Sequence, residues 1–379
     1  MLSRWVGAAA VVIGMAASPG AGAANGVTDH EIRIGASVVL SGPLGPQTAD
    51  YGAGSRLYFD SVNAAGGVHG RKIVYRTLDD AFDVQRAVEN TRQLLERDKV
   101  FLIYNNTGTA HTAAILPIAA EARTVVFGPV TGASALRQTF HRHLFHVRAG
   151  YADEAARITR QLHEMGITRV AAFFQDDAFG KALLTEVKKA AAAQRLEIVA
   201  EASVDPKAPA FEAAAATLGK AAPQAVVMCT AGSTFTGLVK ALGTTGTRPG
   251  IYGFSVVSVD QTTRDLGAAA RGIVLAQVMP SLANRANPVV DEYLSLASAK
   301  GDAGPPSQSK FEGFVHARVL VEGLRRAGRD LSTDHFIRGL ESAGEVSFGK
   351  FSAHYSPSSH SGSAYVELAI IDTEGKLRY

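Results

Sequence analysis

The chain contains 379 residues, of which 46% are hydrophobic and 19% charged, with one cysteine and a formal net charge of +3. A length of this order suggests about two domains of ~150 residues each, and the hydrophobic fraction excludes wholesale disorder. One cysteine excludes an internal disulfide and a cysteine-based zinc site. The balanced charge excludes a dense basic face, so we expect no nucleic-acid partner.

The amino terminus is typical of an export signal. Arg4 precedes an apolar stretch at 6–17, which is shorter than the ~20 residues needed to span a bilayer. Small side chains then occupy Ala21 and Ala23, the two positions that a signal peptidase recognises. We therefore predict that residues 1–23 form a signal peptide cleaved after Ala23, with Ala24 as the close alternative. An uncleaved anchor is the less favoured interpretation.

The first part of the expected mature chain alternates strand-like and helix-like segments. Strands are predicted over 32–40, 72–78, 100–104 and 124–127. Helices are predicted over 53–63, from residue 84 after a cap at Asp83, and over 110–121. This βαβα rhythm indicates a mostly parallel sheet with helices on both faces.

The second part of the chain repeats the alternation. Strands are predicted over 169–174, 198–202, 225–229, 250–254, 272–277 and 365–371. Helices are predicted over 155–165, 179–192 and 233–242, from Pro288 after the cap Asn287, around 311–319, and after a cap at Ser332 or Thr333. Cys229 ends one apolar strand, so we expect it to be buried. The fold class is α/β.

Two strand–loop–helix junctions in the two parts of the chain resemble each other. The strand at 100–104 leads through the small polar loop 105–109 into a helix, and the strand at 225–229 leads through 230–234. Ligands of open α/β sheets bind outside the carboxyl ends of the strands, where a helix N-terminus suits a carboxylate or phosphate. Ordinary βα turns are the alternative, but the matched pair favours a ligand held between them.

The chain lacks the common catalytic motifs. It has no Gly-x-Ser-x-Gly elbow, no phosphate-binding Gly-Lys-Ser/Thr loop and no His-Glu-x-x-His. The run Gly52-Ala53-Gly54 begins like a dinucleotide-binding fingerprint, but Leu57 occupies the position of the third glycine or alanine. We therefore predict no enzyme activity, no catalytic residues and no cofactor.

Three nearby histidines are the best candidates for metal ligands. Strand alternation would place His141 and His143 on one face, with His146 close by. The neighbouring Arg142 and Arg148 disfavour a cation there. We therefore predict a solvated edge or turn and no bound metal.

Seven short segments occur in a characteristic order and spacing. They are residues 34–45, 51–52, 63–70, 79–80, 128–137, 145–148 and 174–180. Together they resemble the substrate-binding proteins of branched-chain amino-acid type ABC transporters, the leucine/isoleucine/valine-binding protein family. The resemblance extends over essentially the whole mature chain.

The resemblance implies two Rossmann-like lobes with mostly parallel sheets, joined by a three-crossover hinge that closes on a ligand. The first lobe would comprise residues 25–147 plus 278–353, and the second 148–277 plus 354–379. It also implies a periplasmic receptor that captures a small molecule and delivers it to the membrane permease of an ABC transporter. We expect a monomer, because no sequence pattern demands an interface. A component of a sensory system is the alternative, and an exported enzyme is less favoured.

The resemblance also implies binding residues from both lobes. In the first lobe, Ser41 and Tyr51 lie at the rim of the site. The residues around a ligand carboxylate are Thr107, Gly108, Thr109, Thr131 and Gly132. Asn106 is the alternative if the alignment of the loop around Thr107 shifts by one residue. In the second lobe they are Tyr151, just after a hinge crossing, and Phe179, an aromatic residue that closes over the ligand. The binding loop of the second lobe contributes Gly232 and Ser233, and Ser255 completes the set.

Ser255 departs from the pattern of the amino-acid binders. Those relatives have a carboxylate at this position, which holds the ammonium group of the ligand. A buried ammonium without an acidic partner is costly. Asp176, Asp177, Asp260 and Glu312 are the possible substitutes. A small carboxylic acid or amide without an ammonium group is therefore as plausible a ligand as an amino acid.

Overall fold

The computed structural model describes residues 25–42, 44–301 and 306–379. The predicted signal peptide at 1–23 and the alternative cleavage site at Ala24 lie outside these residues. Within the described ranges, the structure contains no helix that is both long and apolar enough to cross a membrane.

The first lobe is built on a sheet of five parallel strands. They are β1 (Glu31–Val38), β2 (Lys72–Asp79), β3 (Leu102–Tyr104), β4 (Val125–Phe127) and β5 (Leu144–Phe145), in the order β2-β1-β3-β4-β5. The helices between them are α1 (Gly45–Ala64), α2 (Val84–Glu96) and α3 (Thr109–Glu121). After β5 the chain continues into the second lobe, whose sheet contains β6.

The second lobe repeats the alternation around a larger sheet. Its helices are α4 (Tyr151–Glu164), α5 (Ala178–Ala193), α6 (Phe211–Ala221), α7 (Gly232–Gly243) and α8 (Val259–Leu266). Its parallel strands are β6 (Arg169–Gln175), β7 (Glu197–Val204), β8 (Ala225–Cys229), β9 (Gly250–Gly253) and β10 (Val274–Gln277). After β10 the chain returns to the first lobe.

The remaining chain completes both lobes. In the first lobe it adds α9 (Pro288–Lys300), α10 (Gln308–Ala327), α11 (Thr333–Ala343) and a small antiparallel sheet of β11 (Glu345–Phe348), β12 (Phe351–Ser356) and β13 (Ser359–Gly362). In the second lobe it adds the antiparallel strands β14 (Glu367–Ile371) and β15 (Leu377–Arg378), giving the order β15-β14-β10-β9-β8-β6-β7. The predicted α/β fold with two lobes is confirmed.

The local signals that sequence offered are present in the structure. Asp83 caps α2 by accepting a hydrogen bond from the Arg86 N–H, and Asn287 and Ser332 cap α9 and α11 in the same way. Cys229 is fully buried at the end of β8, as predicted.

Several predictions about local structure are wrong. Helix α1 begins at Gly45 rather than at residue 53, because a proline at its start is compatible with the first helical turn. Helices α6 and α8 and the strands β11–β13 were not predicted, since α6 is an alanine-rich segment and α8 is mostly polar. By contrast, the segment from His141 to His143 forms the turn before β5, which agrees with the predicted edge or turn.

The expected division of the lobes at 353/354 passes through the middle of β12. Tyr355 on this strand donates a hydrogen bond of 2.8 Å to the His146 carbonyl, and the His360 ring on β13 stacks on Phe145 with centroids 3.6 Å apart. Both contacts attach these strands to the first lobe. We therefore propose that the third crossing follows Gly362 rather than residue 353.

Helices α1 and α10 approach so closely that their backbones touch. A Cβ atom on Gly54 would lie 1.7 Å from the Lys310 carbonyl oxygen, and one on Gly313 would lie 2.0 Å from the Tyr51 carbonyl oxygen. The Ser55 hydroxyl fills the crossing and donates to the carbonyls of Tyr51 and Gly313 at 2.9 and 3.0 Å. Glycine is required at both positions. This crossing brings Tyr51 beside Glu312, where the two lobes meet.

Candidate functional site

A cavity of about 50 Å³ lies between the two lobes. We call it the cleft cavity. The first lobe lines it with Leu44, Gln47, Thr48, Tyr51, Phe82, Thr107, Gly108 and Val130. The second lobe lines it with Tyr151, Gln175, Phe179, Ala231 and Val256. None of the described residues that line it is charged, so it suits a ligand that is largely apolar.

The junction between β3 and α3 supplies the polar corner of the cleft cavity. Gly108 precedes α3 with a φ of 102°, and no side chain caps the helix. A Cβ atom there would lie 2.5 Å from the His111 Nδ1 atom, so only glycine fits. The buried Thr107 Oγ1 atom has no hydrogen-bond partner among the described residues. Thr107, whose hydroxyl is unpaired, and Gly108, at the N-terminus of α3, both line the cavity. A helix N-terminus and an unpaired hydroxyl both suit a carboxylate.

Other predicted residues of the first lobe surround this corner without lining the cavity. Thr109 and Thr131 share a hydrogen bond of 2.9 Å between their hydroxyls, and Thr131 is buried. Asn106 donates to the Thr112 hydroxyl at 2.7 Å. Ser41 donates to Asp79 at 2.7 Å, near the end of β2. These side chains support the loops, and none is among the lining residues.

Two aromatic rings close the cavity from the second lobe. Tyr151 and Phe179 meet edge to face with centroids 6.0 Å apart, and both line the cavity. Tyr151 also packs on the first lobe, because a Cβ atom on Gly132 would lie 2.5 Å from its ring.

The loop of the second lobe that was expected to contact the ligand is placed differently. Gly232 faces the Leu44 side chain, Ser233 is exposed, and neither lines the cavity.

Two glutamine amides that the sequence analysis missed shape the cavity. The Gln47 side-chain amide donates a hydrogen bond of 3.0 Å to the Val256 carbonyl and so connects the two lobes directly. Gln175 accepts from the Ala231 N–H at 2.9 Å and from the Thr234 hydroxyl at 2.7 Å, which fixes the start of α7. Leu44 and Gln175 lie within the family-like segments 34–45 and 174–180, and Gln47 and Phe82 lie outside all seven segments. No pattern marked any of the four as a lining residue, because their positions depend on the contact between the lobes.

A buried charge cluster lies where the first crossing meets both lobes. Arg148 is fully buried, and its guanidinium lies 3.8 Å from a Glu154 oxygen on α4 and 3.5 Å from a Glu312 oxygen on α10. Ser255 joins Glu154 through its N–H at 2.8 Å and its hydroxyl at 3.0 Å, and it also contacts Arg148. The cluster therefore links the second lobe, the hinge and the first lobe.

Burial dominates the pKa values in this cluster. Desolvation raises the pKa of Glu154 to about 7 and also raises that of Glu312. Burial would lower the pKa of Arg148, but the carboxylates of Glu312 and Glu154 raise it overall, so the guanidinium stays charged. Desolvation lowers the pKa of His316, beside Glu312, to about 3, so this imidazole is neutral at pH 7.

The candidate substitutes for the missing carboxylate at Ser255 do not line the cleft cavity. Asp176 pairs with Lys181 at 2.6 Å, and Asp177 caps α5 by accepting from the Gly180 N–H at 2.8 Å. Glu312 and the exposed Asp260 line a different cavity.

The family model for periplasmic binding proteins matches residues 31–375. The chain belongs to the periplasmic binding protein family. The family predicted from the seven segments is thereby confirmed. No curated protein matches the chain.

Solved structures of periplasmic binding proteins share the fold. A substrate-binding periplasmic protein from Ralstonia solanacearum has a TM-score of 0.85 at 30% identity, over 92% of this chain and 99% of its own. A possible leucine/isoleucine/valine-binding protein from Rhodopirellula baltica has a TM-score of 0.85 at 24% identity, over 93% and 97%. A solute-binding protein of an ABC transporter from R. palustris, in complex with benzoate, has 0.81 at 18% identity, over 92% and 95%.

Proposed function

We propose that this periplasmic binding protein is exported to the periplasm, binds a small carboxylic acid without an ammonium group, and delivers it to an ABC transporter permease. The acid would lie in the cleft cavity, with its carboxylate at the N-terminus of α3 and its apolar part against Tyr151 and Phe179. Closure of the lobes would signal occupancy to the permease. The proposal includes cleavage after Ala23 and a monomeric state.

The observation that carries this proposal is the absence of charged side chains among the described residues that line the cleft cavity. An ammonium group there would lose its hydration without gaining a carboxylate partner. A carboxylate would find the Thr107 hydroxyl and the free N–H groups of the first turn of α3, which give charge-assisted hydrogen bonds. The aromatic and aliphatic wall suits an apolar remainder.

One structural relative has a compatible ligand. The solute-binding protein from R. palustris is in complex with benzoate, an acid that has an aromatic ring and no ammonium group. At 18% identity this likeness concerns the fold. It nevertheless shows that the two-lobed architecture accommodates such an acid, which makes benzoate a suitable first probe.

The test is a thermal-shift and calorimetric comparison of matched ligand pairs on the purified mature protein. The pairs are 4-methylpentanoate with leucine and 3-phenylpropanoate with phenylalanine, together with benzoate and benzamide. Unfolding and refolding beforehand removes any ligand that co-purifies. A ligand at about 100 times its Kd adds about 2.7 kcal/mol to the free energy of unfolding, which shifts the Tm by several degrees.

We expect a shift with at least one ammonium-free acid and none with its amino-acid counterpart. Binding of the amino acids alone would contradict the proposed ligand class. Binding of benzamide but not of benzoate would agree with the cleft cavity as the binding site, but it would contradict recognition of a carboxylate. No shift with any member of the panel would contradict a small carboxylic acid altogether.

A further inference from the structure

A buried histidine lies behind the proposed carboxylate position at the start of α3. His111 belongs to the first turn of this helix and is 3% exposed. Its ring stacks on the Phe82 ring with centroids 4.7 Å apart, and its Nδ1 atom lies against Gly108, where a Cβ atom would be 2.5 Å away. Phe82 and Gly108 both line the cleft cavity, whereas His111 is not among the described lining residues. The imidazole therefore lies one layer behind the cavity wall, within electrostatic range of a carboxylate bound there.

The ring of His111 forms a titrating pair with a buried carboxylate. Neither ring nitrogen has a hydrogen-bond partner of standard geometry among the described residues. The carboxylate that acts on the ring most strongly is that of Asp80, which is fully buried. Asp80 accepts hydrogen bonds from the Ser37 hydroxyl at 2.9 Å and the Phe82 N–H at 3.0 Å. Of the charged groups that act on Asp80, His111 is the one that can be positive, whereas Asp79 is negative. The protonation of the imidazole and the charge of this carboxylate are therefore linked.

Without a ligand, His111 is mostly neutral at pH 7. Burial is the largest influence on its pKa and lowers it below the usual value. Weaker influences raise the pKa, namely the carboxylate of Asp80, the Phe82 carbonyl and the carboxylates of Asp83 and Asp177. Asp83 caps α2 and Asp177 caps α5 of the second lobe, so negative groups act on the ring from both lobes. The N-terminus of α3 disfavours a cation at this position.

A bound carboxylate changes this charge balance. No charged residue is among the described residues that line the cleft cavity, so a ligand carboxylate would add a negative charge to a region that already contains the carboxylates acting on His111. An anion buried without a countercharge is costly. A proton on His111 supplies the countercharge, and the anion in turn offsets the repulsion between the imidazolium and the N-terminus of α3.

We propose that the acid binds together with one proton, which His111 accepts beside Asp80. This inference rests on the proposed carboxylate position at α3. The proton comes from the solvent and goes to the ring nitrogen that carries none, so the imidazole becomes an imidazolium and no other bond changes. Because the bound anion stabilises the protonated ring, the pKa of His111 is higher with the acid than without it. Binding therefore takes up protons, and the Kd falls as the pH falls.

The test is isothermal titration of the mature protein with benzoate, and with 3-phenylpropanoate as the second acid, from about pH 7.5 to about pH 5.5. Imidazole groups titrate in this range, whereas carboxylic acids titrate near about pH 4 and stay mostly ionised. Titrations in PIPES and in Bis-Tris, two buffers whose ionisation enthalpies differ, give the number of protons taken up per bound acid.

Two variants of His111 assign the proton. His111→Phe keeps a ring that can stack on Phe82 and removes both unpaired nitrogens, and His111→Gln keeps a polar side chain that does not titrate. His143→Gln is the matched control. His143 is a partly buried histidine whose pKa is also lowered by burial, but it lies in the turn before β5 and does not line the cleft cavity. Circular dichroism and the Tm establish that each variant folds.

We expect the wild-type protein to take up protons on binding and its Kd to fall at least about threefold per pH unit, where one fully coupled proton would give about tenfold. Both His111 variants should take up no proton, and their Kd should stay constant within about twofold over the whole range. His143→Gln should behave like the wild type. A merely structural role of His111 would instead raise the Kd at every pH and leave the proton uptake unchanged.

Binding of either acid without proton uptake overturns this inference and leaves the proposed carboxylate receptor intact. Uptake that persists in the His111 variants also overturns it and assigns the proton to another group, such as Glu154, whose pKa of about 7 lies in the same range. If one His111 variant fails to fold, the other decides. If neither acid binds at any pH, the proposed carboxylate site is wrong and this inference fails with it.

Discussion

The junction between β3 and α3 and the junction between β8 and α7 have the same sequence pattern but offer different groups to the cleft. The first presents the unpaired Thr107 hydroxyl and the Gly108 backbone to the cavity. At the second, the Ala231 N–H and the Thr234 hydroxyl already bond to Gln175, and only Ala231 lines the cavity. The Thr230 hydroxyl of the second junction is also buried and unpaired, but Thr230 is not among the residues that line the cavity. Of these two described loops, the first is therefore the one that lines the cavity with a residue whose hydroxyl is unpaired.

The difference between the junctions assigns them different roles. Hydrogen-bond donors that the protein leaves unpaired are the ones available to a ligand. Because the first junction lines the cavity with such a residue and the second does not, it is where we propose that a carboxylate binds. The second packs against the opposite lobe, because a Cβ atom on Gly232 would lie 3.0 Å from the Leu44 side chain. We infer that it contributes shape and lobe contact rather than ligand hydrogen bonds.

The strongest test of this comparison removes hydroxyls at each junction. Thr107→Ala combined with Thr131→Ala should raise the Kd of the acid selected by the screen at least about tenfold, because hydrogen bonds to a charged group are lost or misplaced. Ser233→Ala is the control, since this side chain is exposed at the second junction. It should change the Kd less than about twofold. Titration calorimetry measures both.

An unchanged Kd in the double variant would show that the first junction is not part of the binding site. A large loss in Ser233→Ala would show that the second junction also contacts the ligand, and the two junctions would then be equivalent. The Tm of the double variant without ligand should fall by only a few degrees. Thr107 Oγ1 makes no hydrogen bond within the described part of the chain, and the lost bond between the Thr131 and Thr109 hydroxyls is worth about 1 kcal/mol.

A smaller effect is expected from Gly232→Ala. Its φ of 58° disfavours a side chain, and the new methyl group would press on Leu44 in the opposite lobe. Closure should become less favourable, so the Kd should rise several-fold. Adding Leu44→Ala should recover part of this loss while leaving the lowered Tm that comes from backbone strain. If the second change recovers nothing, the contact between Gly232 and Leu44 does not limit closure.

The smallest effect should come from the aromatic lid. Phe179→Ala should increase the rate of ligand release a few-fold with little change in the rate of association, because most interface changes act on dissociation. Stopped-flow displacement measures this rate. Phe140→Ala is the matched control, since Phe140 is exposed and packs on His360 away from the cleft. Equal release rates in the wild type and Phe179→Ala would contradict an aromatic lid.

Part of the candidate site was predictable from the sequence. Thr107, Gly108, Tyr51, Tyr151 and Phe179 were selected through a resemblance, and the structure brings all of them to one cavity. Ser41, Asn106 and Ser233 were selected on the same ground but do not line it. A resemblance locates a loop, whereas the direction of a side chain follows from its local hydrogen bonds.

The sequence by itself determined the alternation of strands and helices, the caps at Asp83, Asn287 and Ser332, and the family. These features depend on periodicity and on neighbours within a few residues. Only the tertiary structure decided which groups meet between the lobes, such as Gln47 with Val256 and Arg148 with Glu154 and Glu312. Most of these contacts join residues that lie more than a hundred positions apart in the chain, and the others depend on burial. A local sequence pattern specifies neither the partner of a distant residue nor its burial.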